Sequence, residues 1–426
     1  MNLRDFKTVS ERRKALEKEL KVDLKHIGSY SLDEDIASSR NCENMVGASQ
    51  VPMGVAGPLR VSHATSDKRQ DKEYYIPLAT TEGALVASVN RGCKAITQSG
   101  GAMVDSYRVG ATRGPVFKVK NLTESDRLNT FLDTHLDDFK KITKETSHHL
   151  KLKKLMSRGV GRYRFIRFAF DSADAMGMNM ATIASQALVE FIQKKTGAKC
   201  ISVAGNFDSD KKPAWLNFIE NRGFKAWAEV TLPSLVLEQT LKVTAAQVYE
   251  TWFAKCMIGS AMSGSMGFNA QYANVVATVF LATGQDLGHV AEGSMGITTA
   301  EVVKTQNFPR EDSGQAKLKS QNYNSKRKTL HQNEDESLYV SIYLPDLMVG
   351  TIGGGTGLAT QKEALELLGV AGGLSVGEEG KNAQRFAQIV AASVLAGEIS
   401  LLASEAEGSL ARAHLALARG QGNPKF

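Results

Sequence analysis

The chain has 426 residues, enough for two or three structural units, and its 42% hydrophobic and 23% charged content excludes a disordered or fibrous protein. A formal net charge of +7 favours polyanionic small molecules such as nucleotides over cationic ligands. Its four cysteines, Cys42, Cys93, Cys200 and Cys256, form no CxxC pair, so reduced thiols are expected, with neither a disulfide framework nor a metal site.

In chain order, the N-terminal stretch MNLRDFKTVSERRKALEKEL is charged throughout and lacks the apolar core of a signal peptide. No stretch approaches the ~20 apolar residues of a membrane span, so a cytoplasmic protein with no membrane association is expected. Residues 8–21 set Leu16 and Leu20 among Glu, Lys and Arg, which predicts a polar amphipathic helix and an N-terminal helical arm over 1–44. VPMGVAGPL (51–59) packs two Gly and two Pro into nine residues and reads as a turn-rich connection with extended chain on either side.

TTEGALVASVNRGCKAI (80–96) carries Leu85, Val86, Val89 and Ile96 at helical spacing. Thr80 or Thr81 is a plausible cap, Glu82 falls in the first turn, and the polar face bears Arg91. Between about 115 and 202 the pattern changes. PVFKVK and RYRFIRFAF read as strands, and the stretches 122–145 and 175–195 as helices. From 203 onward small residues dominate, notably in IGSAMSGSMGFNAQYANVVATVFLATG, where Gly, Ala and Ser allow close approach of backbones or a ligand. Residues 311–337 are polar and nearly free of apolar side chains, an exposed loop or hairpin.

Several residues could carry chemistry. Lys211 lies in AGNFDSDKKPAW, where two ammonium groups and an acid precede a proline-fixed turn; a buried lysine there could hold an oxyanion, although a KK pair is usually a solvated basic turn. Glu82 is an acid that a helix dipole alone would explain. Asp286, in LATGQDLGH, follows a long apolar helical run, where an acid is unfavourable unless paired. His414, in SLARAHLALARG, is a lone histidine among leucines. DAMGMNM (174–180) and GTIGGGTG (350–357) supply glycines that let the backbone approach a phosphate or a flat ring, but neither is the dinucleotide fingerprint GxGxxG.

Taken together, ENMVG, VPMGVAGPL, TTEGALVASVNRGCKAI, TRGP, DAMGMNM, GNFDSDKKPAW, GSAMSGSMGFNA, GQD, GTIGGGTG and the terminal His closely resemble the hydroxymethylglutaryl-CoA (HMG-CoA) reductase family, in particular catalytic domains like those of eukaryotes and archaea. The resemblance implies an α+β fold: a large, mainly helical HMG-CoA-binding domain (45–114 and 203–426) with an inserted small ferredoxin-like cofactor domain (115–202). It implies reduction of the thioester HMG-CoA to mevalonate and free CoA with two nicotinamide cofactors, NADPH ahead of NADH. The resemblance makes Lys211 the oxyanion holder. Asp286 would tune it, Glu82 would donate a proton in the second reduction, and His414 would protonate the leaving thiolate.

For the substrate's carboxylate and hydroxyl the resemblance points to Arg113, Asp210, Lys212, Lys255 and Asn274, and for CoA to Ser88, Asn90, Arg91, Lys94 and Lys242. The cofactor would lie along Asp174, Met176, Gly177, Met178, Asn179, Ser147, His148, Gly353, Gly354, Gly355, Thr356 and Arg419. Departures from the family pattern are Ala204 where many relatives have Ser, His148 and His149 where animal relatives place an Arg against the cofactor phosphate, and Gly420 in place of a phosphorylatable Ser. The family builds its site across a dimer contact that includes Glu43–Gly47, so a homodimer or dimer-based tetramer is expected. Two rival readings are a catalytically inactive CoA-binding relative and a nucleic-acid binder using the basic stretch 317–328. The second lacks interleaved aromatics beyond Tyr323, so no nucleic-acid partner is expected.

Overall fold

The structure, a computed structural model, describes residues 7–20, 25, 28–63, 71–304, 336–375 and 377–409. His414, Arg419, Gly420 and all but the last two residues of 311–337 lie outside the described residues. The expected N-terminal helix spans Val9–Leu20 and opens on a reciprocal cap: Glu11 N–H donates to Thr8 Oγ1 (3.1 Å) while the Glu11 carboxylate accepts from Thr8 N–H (2.9 Å). A second helix, Glu34–Arg40, joins it around a small cluster of Val9, Ala37 and Met45.

Among the described residues eleven strands follow: β1 (Met53–His63), β2 (Lys72–Ala79), β3 (Ala102–Arg113), β4 (Val116–Lys118), β5 (Lys151–Val160), β6 (Tyr163–Asp171), β7 (Lys199–Ser202), β8 (Arg222–Leu232), β9 (Gly267–Phe268), β10 (Gly296–Lys304) and β11 (Glu336–Leu347). The turn-rich reading of 51–59 is corrected, because VPMGVAGPL runs into β1 and through it. A shift of register against β2 between Ala56 and Leu59 absorbs Gly57 and Pro58 inside the strand.

β3 is the spine. Its first part pairs in parallel with β1 and antiparallel with β8, and its last three residues, Ala111–Arg113, pair with β6. From β8 the sheet continues through β11 and β10 to β9. A mixed sheet therefore runs through the large unit, alongside its helices. In β8 the residues Phe224, Ala226, Ala228, Val230 and Leu232 are all buried at period two, against one side packed by the helices Leu85–Gln98 and Lys381–Glu407. Small alanines and intervening charges kept that alternation inconspicuous in the sequence.

A second hydrophobic cluster gathers Phe117, Phe139, Phe168, Phe170, Leu188 and Ile192, with Met348 as a contribution from outside 111–198. Its strands lie in the order β7–β4–β6–β5, every adjacent pair antiparallel. The helices Leu122–Thr134, Leu136–Thr146 and Met178–Thr196 join them. β5 was not anticipated, because KLKKLMSRGV alternates charge more than apolar residues.

The Lys381–Glu407 helix corrects one expectation. By length and composition it could cross a membrane, with a mean hydropathy of 1.8, yet 94% of that window is buried inside the protein. It is the central core helix. Its buried acid, Glu398, accepts from the N–H groups of Ala270 and Gln271 and from Thr298 Oγ1.

Candidate active site

Lys211 sits on a loop after β7 that is tied down by its own backbone. Gly205 N–H donates to Gly114 O (2.6 Å), Thr112 Oγ1 donates to Asp208 O (2.8 Å), and Asn206, Ser209 and Lys211 all take left-handed conformations. Non-glycine residues hold that conformation only where surrounding contacts over-determine it. For Lys211 the contact is a backbone N–H donated to Glu292 Oε1 (3.1 Å). The side chain then lies with Nζ 2.7 Å from Asp286 Oδ2, both groups partly exposed to solvent.

Asp286 follows the apolar helix Tyr272–Thr283 and has the partner an acid needs there, Lys211. The Tyr272–Thr283 helix stops at Gly284, and Asp286 caps the next short turn by accepting from Gly288 N–H (2.9 Å). Burial raises its pKa, but Lys211, the Gly288 N–H and His289 outweigh that effect and hold the carboxyl below its ordinary value.

Beneath this pair lies a cluster in which sequence reasoning named Asp210 but missed Arg222, His289, Glu292 and Asp346. Arg222, fully buried at the start of β8, donates from Nη1 to Glu292 Oε1 (2.5 Å), from Nη2 to Asp210 Oδ1 (2.7 Å) and from Nε to Thr112 Oγ1 (2.8 Å). His289 Nδ1 lies 2.7 Å from Glu292 Oε1, and its Nε2 lies 3.8 Å from Asp286 Oδ2. Asp210, His289 and Glu292 converge as metal ligands would, but the Arg222 guanidinium already bonds two of them. Asp346, wholly buried on β11, has its pKa pushed up to about 7 by burial, opposed by Arg222 and Arg167 and reinforced by Glu292 and Asp210. Two signals were available: an acid inside the apolar strand run YLPDLMVG, and an arginine opening an alternating strand.

A cleft of about 1040 Å³ opens beside Lys211 and Asp286, at the upper end of the usual range for ligand pockets. Met176, Gly177, Met178, Asn179 and Gly353–Thr356 border it. Gly177 (φ +93°) could not carry a side chain, since a Cβ would fall 2.4 Å from Ser172, whereas Gly353 and Gly354 are left-handed and face open space. Asp174 also borders the cleft, but its carboxylate is spent on the backbone. It accepts from Leu374, Gly380 and Ala383 N–H and so caps the Lys381–Glu407 helix. His149, not Ser147 or His148, borders the cleft, while Ser147 turns to Met180.

Of the other anticipated residues, Arg113 pairs with Asp208 (3.4 Å) and Asp210 (3.3 Å), and Lys212 is exposed. Lys255 and Asn274 border a second cavity, of about 620 Å³, and Lys255 Nζ bonds Glu405 Oε1 (2.6 Å). Ser88 and Arg91 are engaged by the central helix, Ser88 at Ser400 Oγ (3.0 Å) and Arg91 at Ser400 O (2.6 Å) and Ser404. Asn90 Oδ1 accepts from Gly57 N–H (2.9 Å), and Lys94 and Lys242 are exposed. Glu82 is exposed, borders neither cavity, and lies before the Leu85–Gln98 helix, not in its first turn; its N–H closes a tight turn onto Thr80 Oγ1 (2.9 Å).

The family profile described as hydroxymethylglutaryl-coenzyme A reductase matches residues 8–419. The 3-hydroxy-3-methylglutaryl-coenzyme A reductase of Methanothermobacter thermautotrophicus is 43% identical over 410 residues, 96% of this chain and 93% of that one. That of Methanocaldococcus jannaschii is 44% identical over 414 residues (96% and 92%), and reductase 1 of Hevea brasiliensis 36% over 408 (95% and 64%). Among solved structures, the class II reductase of Streptococcus pneumoniae bound to NADPH in open conformations shares the fold at a TM-score of 0.62 and 16% identity, covering 94% of this chain and 97% of that one. With its profile matched nearly end to end and its lysine–aspartate pair set in a glycine-bordered cleft, the chain belongs to the HMG-CoA reductase family.

Proposed function

We propose that this protein reduces (S)-HMG-CoA to mevalonate and free CoA, consuming two nicotinamide cofactors and two protons, in the mevalonate pathway. The observation that carries the reading is the Lys211–Asp286 pair at the mouth of the cleft. The reduced nicotinamide supplies hydride in each of the two reductions. The glycine-bordered Met176–Asn179 and Gly353–Thr356 segments suit its flat ring and phosphates, because backbone can approach closely there.

Lys211 donates a hydrogen bond to the carbonyl oxygen as negative charge develops on it, and Asp286 fixes the position of its Nζ. Arg222 and Glu292 act through Lys211, by holding its backbone. Glu82 delivers a proton to the oxygen in the second reduction, and His414 protonates the departing thiolate. Neither Glu82 nor Lys255, the donor for the glutaryl carboxylate, borders the cleft, which fits a site completed by a second copy of the chain in a homodimer or dimer-based tetramer.

The antiparallel unit ordered β7–β4–β6–β5 has the strand order of a ferredoxin-like fold and serves, in this proposal, as the cofactor domain. NADPH is the expected cofactor: Lys151 on β5, two residues beyond His149 at the cleft, offers positive charge for a 2′-phosphate. A cytoplasmic location belongs to the same proposal. The test is oxidation of NADPH and of NADH, in separate reactions with HMG-CoA and purified protein. Two cofactors oxidised per mevalonate formed supports it, and CoA binding with neither cofactor oxidised favours an inactive relative.

A further inference from the structure

Glu405 is placed where an acid is disfavoured on three counts. It lies in the last turn of the Lys381–Glu407 helix, at the negative end of the helix dipole. Its side chain is mostly buried, and Oε2 is buried with no hydrogen-bond partner among the described residues. Its carboxylate is held instead through Oε1, 2.6 Å from Lys255 Nζ.

Lys255 stands on a π-helical turn, Phe253–Gly259, and borders the second cavity together with Ser260, Asn269, Asn274 and Leu401. Leu401 is four residues before Glu405, on the same face of the helix, so that face addresses this cavity. A second acid, Glu398, contributes to the field around Lys255 but is fully committed to Ala270 N–H, Gln271 N–H and Thr298. Glu405 is thus the exchangeable counter-ion of Lys255.

We infer that Glu405 is a specificity-setting residue that competes with the terminal carboxylate of the acyl-CoA substrate for Lys255. The inference rests on the reading of Lys255 as the partner of that carboxylate. A glutaryl group entering the cavity meets a lysine already paired and a like charge beside it, and it must displace Glu405 to bind. An acyl-CoA without a terminal carboxylate meets no such competitor. Glu405 therefore weakens binding of the dicarboxylate-derived substrate and narrows its advantage over neutral acyl chains.

The test is the steady-state kinetics of Glu405→Gln, Lys255→Met and the double variant in the intact protein, with thermal unfolding to confirm that each is folded. For Glu405→Gln, KM for HMG-CoA is expected to fall about three- to fivefold, the scale of a partly exposed ion pair. Inhibition by free 3-hydroxy-3-methylglutarate is expected to strengthen by a similar factor. Lys255→Met is expected to raise KM in both backgrounds and to abolish the benefit of Glu405→Gln. An unchanged or raised KM in Glu405→Gln overturns the competition, since a carboxylate that only orients Lys255 would have that effect. If Lys255→Met leaves KM unchanged even when combined with Glu405→Gln, the assignment of Lys255 to the substrate carboxylate fails instead.

Discussion

Lys211 and Asp286 meet although 75 positions separate them, because a strained loop presents one and a short capped turn the other. An ammonium at that place is worth most when charge develops on a carbonyl oxygen, so Lys211→Ala is expected to lower kcat about 10²- to 10³-fold, measured at saturating HMG-CoA and cofactor. A variant retaining most of its kcat would remove Lys211 from the chemistry. Both residues were legible from GNFDSDKKPAW and GQD, since motifs keep neighbouring residues together. Arg222, His289, Glu292 and Asp346 were not: they come from three separate segments and only the fold joins them. Asp346 yields a prediction with a definite sign. Its pKa rises from 3.8 in the unfolded chain to about 7 in the folded one, so the stability it contributes is complete below pH ~4 and lost as pH climbs through 7. Asp346→Asn cannot ionise and leaves Arg222 paired with Glu292 and Asp210. Its melting temperature relative to the parent is expected to rise between pH 5 and pH 8; a difference that stays constant across that range contradicts the assignment.

At the level of elements, the periodicity of Leu85, Val89 and Ile96 revealed a helix whose apolar face is buried, as the structure places it. What the pattern could not reveal is the use of the opposite face. The family resemblance assigns Ser88 and Arg91 to CoA, and in the structure they bond Ser400 and Ser404 on the central helix. Beside them lies Gly92, where the two helices cross so closely that a Cβ would fall 1.9 Å from Ala396 O. Backbone cannot swing aside as a side-chain tip can. Gly92→Ala is therefore expected to destabilise the protein by about 1–3 kcal/mol, seen as an earlier midpoint in chemical denaturation. An unshifted midpoint would mean the helices do not cross at this residue. The same limit hid β8, whose buried face includes Ala226 and Ala228; small residues mark close packing without saying whether helix or sheet provides it.

For the whole molecule, the large core around β8 and the Lys381–Glu407 helix meets the cluster of Phe117 and Phe168 along β3, whose Val104 belongs to the first and Ala111 to the second, and Lys211, Asp286 and the glycine-bordered cleft lie along that junction. Glu82 borders neither cavity, being held in the turn before the helix Leu85–Gln98 on the large unit. If its proton is to reach a carbonyl beside Lys211, the acid must come from a second chain, and this gives a strong test of assembly. Glu82→Gln and Lys211→Ala homodimers are each expected to be nearly inactive. After the two proteins are mixed in equal amounts, unfolded and refolded together, half the dimers carry one of each chain. In such a mixed dimer one site pairs two altered residues and the other pairs two intact ones. Activity should therefore return to about one-quarter of the parent level in a dimer built on two-fold symmetry. Were both residues supplied by the same chain, every site in every mixture would contain one lesion, and refolding together would restore nothing.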